Sequence, residues 1–305
     1  MKVVSALAAV EYLLDNKTVR PGDTLVDSSS GIYAYALALA CHRYGLGCHI
    51  VGSVTVDEAL RVQLEILGAR LDRMEPSDDL ALDQRRRVHR VRELLATMPR
   101  YHWMRQYHDD IHYRGYATVA ERITTELGTP PGGLTVVGGV GSGASTGSLA
   151  THLRRRDPAV TLVGVQPFGS VTFGSEHVRD PDIIVAGIGS SIPFGNVRHD
   201  AYDAIHWIGF TAAVSGSVEL LRRHAVFAGL SSGAAYLAAR YERDRAPERT
   251  VLFLAADTGH RYVDSVFSRH GEVSSVAELA PRCVETVEQL RLPWCRMDRN
   301  RAVPV

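Results

Sequence analysis

Two lysines are the scarcest chemically useful side chains in this chain. Of its 34 basic residues, only Lys2 and Lys17 are lysines, and the others are arginines. A lysine amine can form a Schiff base with a carbonyl compound, and with a suitable pKa it can also act as a general base. A mechanism with such a covalent link must therefore use Lys2 or Lys17.

A glycine-rich segment at residues 138–147, with the sequence GGVGSGASTG, can bind phosphate. It lies between a predicted strand, Thr135–Gly139, and a helix predicted from about Ser145. Glycines let the backbone approach an anion closely, and a helix N-terminus offers free amides and a favourable dipole. The spacing also resembles a dinucleotide-binding motif, but Asp157 does not end a following strand, as that motif requires. The segment favours phosphate binding over a simple tight turn, and both over dinucleotide binding.

Three other predicted strand ends carry small or polar residues, namely 28–31 (SSSG), 229–235 (GLSSGAA) and 257–262 (DTGHRY). Serine hydroxyls and free helix amides at the first segment suit a carboxylate, although plain helix capping by serine explains the pattern equally well. Ligands of open α/β sheets gather at such carboxyl ends of strands. These segments therefore predict a small-molecule site.

His108 and His112 are spaced to share one face of a helix and could bind a metal ion if that segment is helical. A solvated polar surface is the commoner origin of such a pattern. The sequence shows no Gly-x-Ser-x-Gly hydrolase elbow.

The elements that carry these segments alternate between strands and helices. The pattern predicts a helix over 3–17, strands at Thr24–Asp27 and His49–Val51, and helices over Ile32–Tyr44 and 57–67. Charged residues 75–100 read as a solvated helix. Further strands are predicted at Thr161–Gln166 and Thr250–Ala255, and residues 225–230 read as a strand that leads into a helix. Such βαβα order predicts parallel sheets with helices on their faces. The organisation predicted is a smaller domain over 1–108, a larger domain over 109–290 and an irregular tail over 291–305.

Composition narrows the function classes. The formal net charge is zero, which argues against a nucleic-acid partner. No apolar run approaches the roughly 18 residues of a membrane helix. The N-terminus does not resemble a signal peptide, and the four cysteines match no common zinc pattern. We therefore expect a cytoplasmic protein with reduced thiols.

Taken together, these segments resemble the fold-type II enzymes that use pyridoxal 5′-phosphate (PLP), in their cysteine synthase and cystathionine β-synthase-like branch. The resemblance runs from residue 2 to about residue 267. It includes the run Lys2-Val3-Val4-Ser5-Ala6-Leu7, and the segments 187–196 (GIGSSIPFGN) and 229–235. Within the branch, 169–174 (GSVTFG) and SSSG are most similar to synthases that make precursors of 2,3-diaminopropionate.

The resemblance implies a role for each matching residue. Lys2 would hold PLP as a Schiff base and act as the catalytic base, whereas Lys17 falls in a variable part of the helix. The phosphate of PLP would be bound by Gly141, Ser142, Gly143, Ala144 and Ser145, and Thr258 would face the pyridine nitrogen. The substrate would be bound by Ser29, Ser30, Gly31, Ile32, Tyr33 and Gln106. No metal is expected.

The implied fold is tryptophan synthase β-like, with two three-layer domains built on open, twisted, mostly parallel sheets. The sequence departs from the family at Ile32, where the family has an asparagine that bonds the cofactor, and at Val3-Val4. Because the chain starts one residue before the lysine, we also expect either that the fold lacks the family's usual N-terminal segment or that the gene start is mis-assigned.

The implied reaction is β-replacement or β-elimination on an O-activated L-serine, such as O-acetylserine or O-phosphoserine, with an amine or thiol nucleophile. Two alternatives remain at this stage. One is a lyase resembling serine/threonine dehydratases, and the other is a catalytically impaired relative that only binds ligands. The expected partners are an amino-acid substrate and a second copy in a homodimer.

Overall fold

The computed structural model describes residues 1–54, 56–77, 80–183 and 187–299, which form two α/β units. Unit 1 comprises residues 1–116 and 194–196, and unit 2 comprises residues 117–193 and those from 197 onward. The first boundary falls after Tyr116 rather than after residue 108. The reason is that the short 3₁₀ helix Asp110–Tyr113 packs on the first helix, where the Ser5 hydroxyl donates to the carbonyl of His112 at 2.9 Å.

Unit 1 is built on a four-stranded, wholly parallel sheet in the order β3-β2-β1-β4. Its elements in chain order are α1 (Lys2–Asp15), β1 (Thr24–Ser28), α2 (Ile32–Tyr44), β2 (Gly47–Ser53), α3 (Glu58–Ile66), β3 (Arg70–Met74), α4 (Leu80–Thr97) and β4 (Tyr101–Trp103).

Successive side chains of β1 point to opposite faces of this sheet, as strand geometry requires. Leu25 joins the apolar core formed with α1, α2 and α3, whereas Val26 packs with Val91 and Leu94 of α4. Unit 1 therefore has three layers, and the carboxyl end of β1 leads directly into the serine-rich segment.

Unit 2 is built on a six-stranded sheet in the order β8-β5-β6-β7-β10-β9. Its elements are α5 (Tyr116–Leu127, which begins at the boundary), β5 (Leu134–Gly139), α6 (Ala144–Arg154), β6 (Thr161–Gln166), β7 (Ala204–Ile208), α7 (Phe210–His224), α8 (Leu230–Arg245), β8 (Thr250–Phe253), β9 (Arg282–Cys283) and β10 (Trp294–Asp298). All strand pairs are parallel except β10 with β7. The predicted fold class, two mostly parallel α/β sheets, is confirmed.

Different helices also cover the two faces of this second sheet. Val137 of β5 joins the core formed with α7 and α8. On the opposite face, Gly138 lies so close to Thr146 of α6 that an added Cβ would come within 2.7 Å of its methyl group. Glycine is therefore required for α6 to approach the strand that leads into the glycine-rich turn.

Two predictions about unit 2 are wrong. Residues 291–305 are not an irregular tail, because Trp294–Asp298 form β10, although residues 300–305 lie outside the described residues. Residues 225–229 form no strand and contribute only an isolated bridge from Ala228 to Thr258.

A buried polar network explains the position of β10. Arg296 Nε donates to Glu242 Oε1 at 2.6 Å, and His206 Nε2 lies 2.9 Å from the same oxygen. The indole N–H of Trp294 donates to His206 Nδ1 at 2.9 Å, which leaves His206 neutral with its proton on Nε2. Burial alone would raise the pKa of Glu242, but the bonds from His206 and Arg296 prevail and lower it to about 2.

The helices of the described residues include none that is both long enough and apolar enough to cross a membrane. All four cysteines are free thiols, and Cys41, Cys48 and Cys295 are buried.

Candidate active site

Lys2 is the first residue of α1 and is half-buried. Desolvation by burial lowers the pKa of its ammonium group from 10.5 to about 8. At neutral pH a measurable fraction of the amine is therefore uncharged, which is the state that attacks carbonyls and accepts protons. Lys17 lies beyond the end of α1 and is exposed.

The serine-rich segment at the end of β1 presents hydrogen-bond donors. Ser30 Oγ accepts two bonds from Ser53, one from its backbone N–H at 2.8 Å and one from its hydroxyl at 2.9 Å. The hydroxyl hydrogen of Ser30 is therefore left to donate elsewhere. Gly31 is the N-cap of α2 without a side-chain cap, and a Cβ at Gly31 would meet no atom within 4 Å. Donors, a helix N-terminus and open space together suit a carboxylate.

Gln106 is buried against this segment. Its Nε2 donates to the carbonyl of Ser28 at 2.9 Å, and its backbone N–H donates to Asp27 Oδ2 at 2.9 Å. Asp27 Oδ1 also accepts from the backbone N–H of Ser28 and from Trp103 Nε1. Burial is the main influence on Asp27 and raises the pKa of its carboxyl to about 6, although the hydrogen bonds oppose this. Asp27 thus joins Gln106 to the serine segment.

Ile32 is half-buried, whereas Tyr33 is buried. The ring of Tyr33 packs edge-on against His112, with centroids 5.6 Å apart. His112 Nε2 lies 2.9 Å from the carbonyl of Met104, which assigns the proton to Nε2. The pKa of His112 is lowered to about 4, mainly by burial and to a smaller extent by the nearby charge of Lys2.

The metal hypothesis for His108 and His112 is not supported, because these residues do not share a helix. His112 belongs to the 3₁₀ helix Asp110–Tyr113, and exposed His108 lies before it. Within the described ranges, no three His, Cys, Asp or Glu side chains are grouped closely enough to hold a metal ion.

In unit 2, the glycine-rich turn leads into α6 as the sequence predicts. Gly143 is the N-cap of α6 in the left-handed conformation, with φ of 76° and no side-chain cap. The amides of the first turn therefore point out of the helix end. A Cβ at Gly141 would lie 2.5 Å from the carbonyl oxygen of Gly187, so only glycine fits there. Ser142 and Ala144 are buried, and Ser145 is half-buried.

Hydrogen bonds from two other predicted segments hold this turn in place. Gln166 Nε2 donates to the carbonyl of Val140 at 2.5 Å, and the backbone N–H of Gly189 donates to the same carbonyl at 2.9 Å. Ser170 Oγ donates to Gln166 Oε1 and accepts from the backbone N–H of Ser190. The glycine-rich turn is therefore supported by Ser170 of the segment 169–174 and by Gly189 and Ser190 of the segment 187–196.

Thr258 lies after the end of β8 and is exposed. It caps the 3₁₀ helix Gly259–Tyr262, and its Oγ1 is 2.5 Å from His260 Nδ1. The backbone N–H of Gly259 donates to the carbonyl of Phe227, which fixes this segment beside the loop before α8.

The structure groups the predicted residues by unit. Unit 1 contains Lys2, the serine-rich segment and Gln106. Unit 2 contains residues 141–145 and Thr258.

Two residues that contact the serine-rich segment or Gln106 were missed by the sequence reasoning. They are Asp27, which accepts from the backbone N–H of Gln106, and Arg87, whose Nε donates to Ser28 Oγ at 3.4 Å. An acidic residue within the apolar strand Leu25-Val26-Asp27 was the available signal for Asp27. No signal in the sequence distinguished Arg87, because it lies within a run of similar arginines.

A family model described as "Pyridoxal-phosphate dependent enzyme" matches residues 1–257. The chain belongs to this family. This enzyme is 34% identical over 265 residues to N-(2-amino-2-carboxyethyl)-L-glutamate synthase of Ralstonia nicotianae, covering 85% of this chain and 75% of the relative. It is 30% identical to cysteine synthase of Helicobacter pylori, covering 79% of this chain and 76% of the relative.

A solved structure with the same fold is the O-acetylserine-dependent cystathionine β-synthase of Helicobacter pylori. It superposes with a TM-score of 0.76 at 24% identity, covering 86% of this chain and 84% of that chain. The predicted PLP fold and the cysteine synthase type of enzyme are confirmed. The cofactor is PLP, and the residues present fit it: the glycine cradle excludes a Cβ at Gly141, the N-terminus of α6 suits a phosphate, and Lys2 has a lowered pKa.

Proposed function

We propose that this enzyme carries out β-replacement on an O-activated L-serine, such as O-acetylserine or O-phosphoserine, with an amine or thiol nucleophile. The observation that carries the proposal is the donor set at the end of β1, where Ser30 has a hydroxyl hydrogen to donate and the N-terminus of α2 faces open space. Such a site selects an amino acid by its carboxylate.

Lys2 has two tasks in this proposal. Its Nζ would hold the cofactor covalently. Its neutral amine would also take a proton from the substrate Cα, and a pKa of about 8 suits it to that role near neutral pH. PLP, when bound, supplies the electron sink for this chemistry. The backbone amides and hydroxyls of residues 141–145 would bind its phosphate, and Thr258 would bond its ring nitrogen.

The carboxylate of the substrate is oriented by Ser29, Ser30 and the amide of Gly31, beside Gln106. Ile32 and Tyr33 complete the wall of this subsite. Ile32 cannot form the hydrogen bond that an asparagine would make there, so the remaining donors carry the orientation of the substrate.

The nucleophile proposed is an amine that bears a carboxylate, with L-glutamate as the first candidate. The half-buried Arg87 supports this choice. Its Nε donates a long hydrogen bond of 3.4 Å to Ser28 Oγ, next to the substrate segment. Burial lowers the pKa of its guanidinium group, although the charge of Asp83 opposes this. A desolvated guanidinium with spare donors recognises a carboxylate well.

Purified protein loaded with PLP tests the reaction, with O-acetylserine or O-phosphoserine offered with and without L-glutamate or sulfide. The proposal expects a replacement product that requires both substrates, detected by mass spectrometry. Release of a keto acid from the serine derivative alone would favour the lyase alternative. Binding of PLP without turnover of any activated serine would favour the impaired relative.

Matched arginine variants test the choice of nucleophile. Arg87→Ala should raise the KM for L-glutamate by at least tenfold, the value of one charged hydrogen bond of about 1.5–3 kcal/mol, and leave the KM for sulfide unchanged. Arg86→Ala, an exposed position on the same helix, is the control. Equal effects of the two variants on both nucleophiles would refute a role for Arg87.

We also infer a homodimer that works in the cytoplasm. Two-fold dimers are the commonest oligomers of soluble enzymes, which supports the first inference. The free state of all four cysteines agrees with a reducing compartment. Sedimentation velocity of the PLP-loaded protein and fractionation of its host cells test the two points.

A further inference from the structure

His260 lies beside the hydroxyl group that the proposed function assigns to the ring nitrogen of PLP. Its Nδ1 is 2.5 Å from Thr258 Oγ1, and its backbone N–H donates to the same oxygen at 3.5 Å. Its ring packs edge-on against Phe227 with centroids 5.0 Å apart, and Phe227 in turn packs on Phe267 at 4.5 Å. The imidazole is therefore held in place on two sides.

The contact between His260 Nδ1 and the Thr258 hydroxyl controls where the hydroxyl hydrogen of Thr258 points. A hydroxyl has one hydrogen to donate and two lone pairs that can accept. The backbone N–H of His260 uses one lone pair. If Nδ1 is unprotonated, it takes the hydroxyl hydrogen, and Thr258 can only accept from a ligand. If Nδ1 carries a proton, it donates to the second lone pair, and Thr258 keeps its hydrogen for a ligand.

We propose that His260 is a positioning residue whose Nδ1–H turns the Thr258 hydroxyl hydrogen outward, so that Thr258 donates to the ring nitrogen of PLP and keeps that nitrogen unprotonated. This inference rests on the proposed role of Thr258. It adds that His260, rather than the Thr258 hydroxyl alone, determines whether the ring nitrogen of PLP is protonated. A ring nitrogen without a proton withdraws fewer electrons, which suits β-replacement better than reactions that need a fully formed carbanion at Cα.

Variants of His260 separate its hydrogen bond from its packing. His260→Phe keeps a ring against Phe227 but removes Nδ1, whereas His260→Asn places an amide donor near the position of Nδ1. His270 provides the control, because it is an exposed histidine of the same unit whose Nδ1 lies 3.0 Å from the carbonyl of Phe267. His270→Phe and His270→Asn therefore test surface histidine substitution without touching Thr258.

The first readout needs no cofactor. In the PLP-free protein, ¹⁵N NMR of labelled histidine should show His260 with its proton on Nδ1, and Thr258→Val should abolish that preference. A His260 with its proton on Nε2 only would overturn the proposal.

The second readout is the binding of PLP, followed by its dissociation constant and by its visible absorption spectrum at a fixed pH. His260→Phe should weaken PLP binding by about fivefold, as expected for one lost hydrogen bond. It should also shift the spectrum of the bound cofactor. His260→Asn should restore both quantities to within about twofold, and the His270 variants should match wild type.

The outcomes distinguish this inference from the proposed function. A wild-type protein that binds no PLP would overturn both. Wild-type binding with unchanged affinity and spectrum in His260→Phe would overturn the role of His260 alone and leave the proposed function intact.

Discussion

Substitution of Asp27 by asparagine tests the electrostatics beneath the substrate segment. Asp27 is buried, and its pKa rises from 3.8 to about 6, chiefly through desolvation. The folded protein therefore holds a proton that the unfolded chain releases between about pH 4 and pH 6. Stability falls as pH rises through that window, because the folded state binds more protons there than the unfolded state.

The magnitude follows from the shift. At about 1.4 kcal/mol for each pKa unit the full shift amounts to ~3 kcal/mol, and because the unfolded carboxyl is already partly ionised at pH 4, ionisation of Asp27 costs the folded state ~2.5 kcal/mol by pH 7 relative to pH 4. An asparagine side chain cannot ionise, so Asp27→Asn should remove this cost. The substitution should also place an NH₂ group opposite the backbone N–H of Gln106, where a carboxylate oxygen now accepts. This adds a loss of stability that does not depend on pH.

Urea denaturation monitored by circular dichroism, at intervals from pH 4 to pH 7, measures the effect. The free energy of unfolding of Asp27→Asn relative to wild type should rise by ~2.5 kcal/mol across this range. Asp23→Asn is the control. Because hydrogen bonds from Arg20 and Arg100 lower the pKa of Asp23, its contribution is present at higher pH and is lost only as pH falls below about 4. The reasoning would be refuted if the free energies of unfolding of wild type and Asp27→Asn changed in parallel from pH 4 to pH 7.

Two further substitutions test unit 2. Glu242→Ala should lower the free energy of unfolding by ~3–5 kcal/mol in urea denaturation, because it removes the buried carboxylate that Arg296 Nε and His206 Nε2 share and leaves Arg296 with its bond to the exposed Asp298. A loss below about 1 kcal/mol would contradict the network. Gly141→Ala should weaken PLP binding at least tenfold in a fluorescence titration, because its Cβ would lie 2.5 Å from the carbonyl oxygen of Gly187. Gly271→Ala, whose Cβ meets no atom within 4 Å, should bind PLP like wild type, and equal affinities of the two variants would refute the cradle.

Most of the elements that bear the candidate site could be predicted from local patterns. Helix Ile32–Tyr44 and strand Thr161–Gln166 have the predicted bounds, because small-residue turns or polar breaks delimit each apolar run. The parallel pairing of the strands follows from the alternation of strands and helices along the chain, which is a local pattern.

The features that sequence reasoning missed depend on contacts between distant residues. Strand β10 is short and carries Arg296, and its place in the sheet is specified by Glu242 and His206, which lie far from it in the sequence. Arg87 resembles the arginines beside it, and only the fold shows that it approaches Ser28. His260 likewise gains significance only through its bond to Thr258.

Reduction of the PLP-loaded protein with borohydride, followed by peptide mapping, tests the central claim most directly, because reduction makes the link between lysine and cofactor permanent. The account predicts a yellow wild-type protein with the label on Lys2, and a Lys2→Ala variant without the visible band and without label. Label on Lys17, or a wild type that remains colourless with PLP, would contradict it.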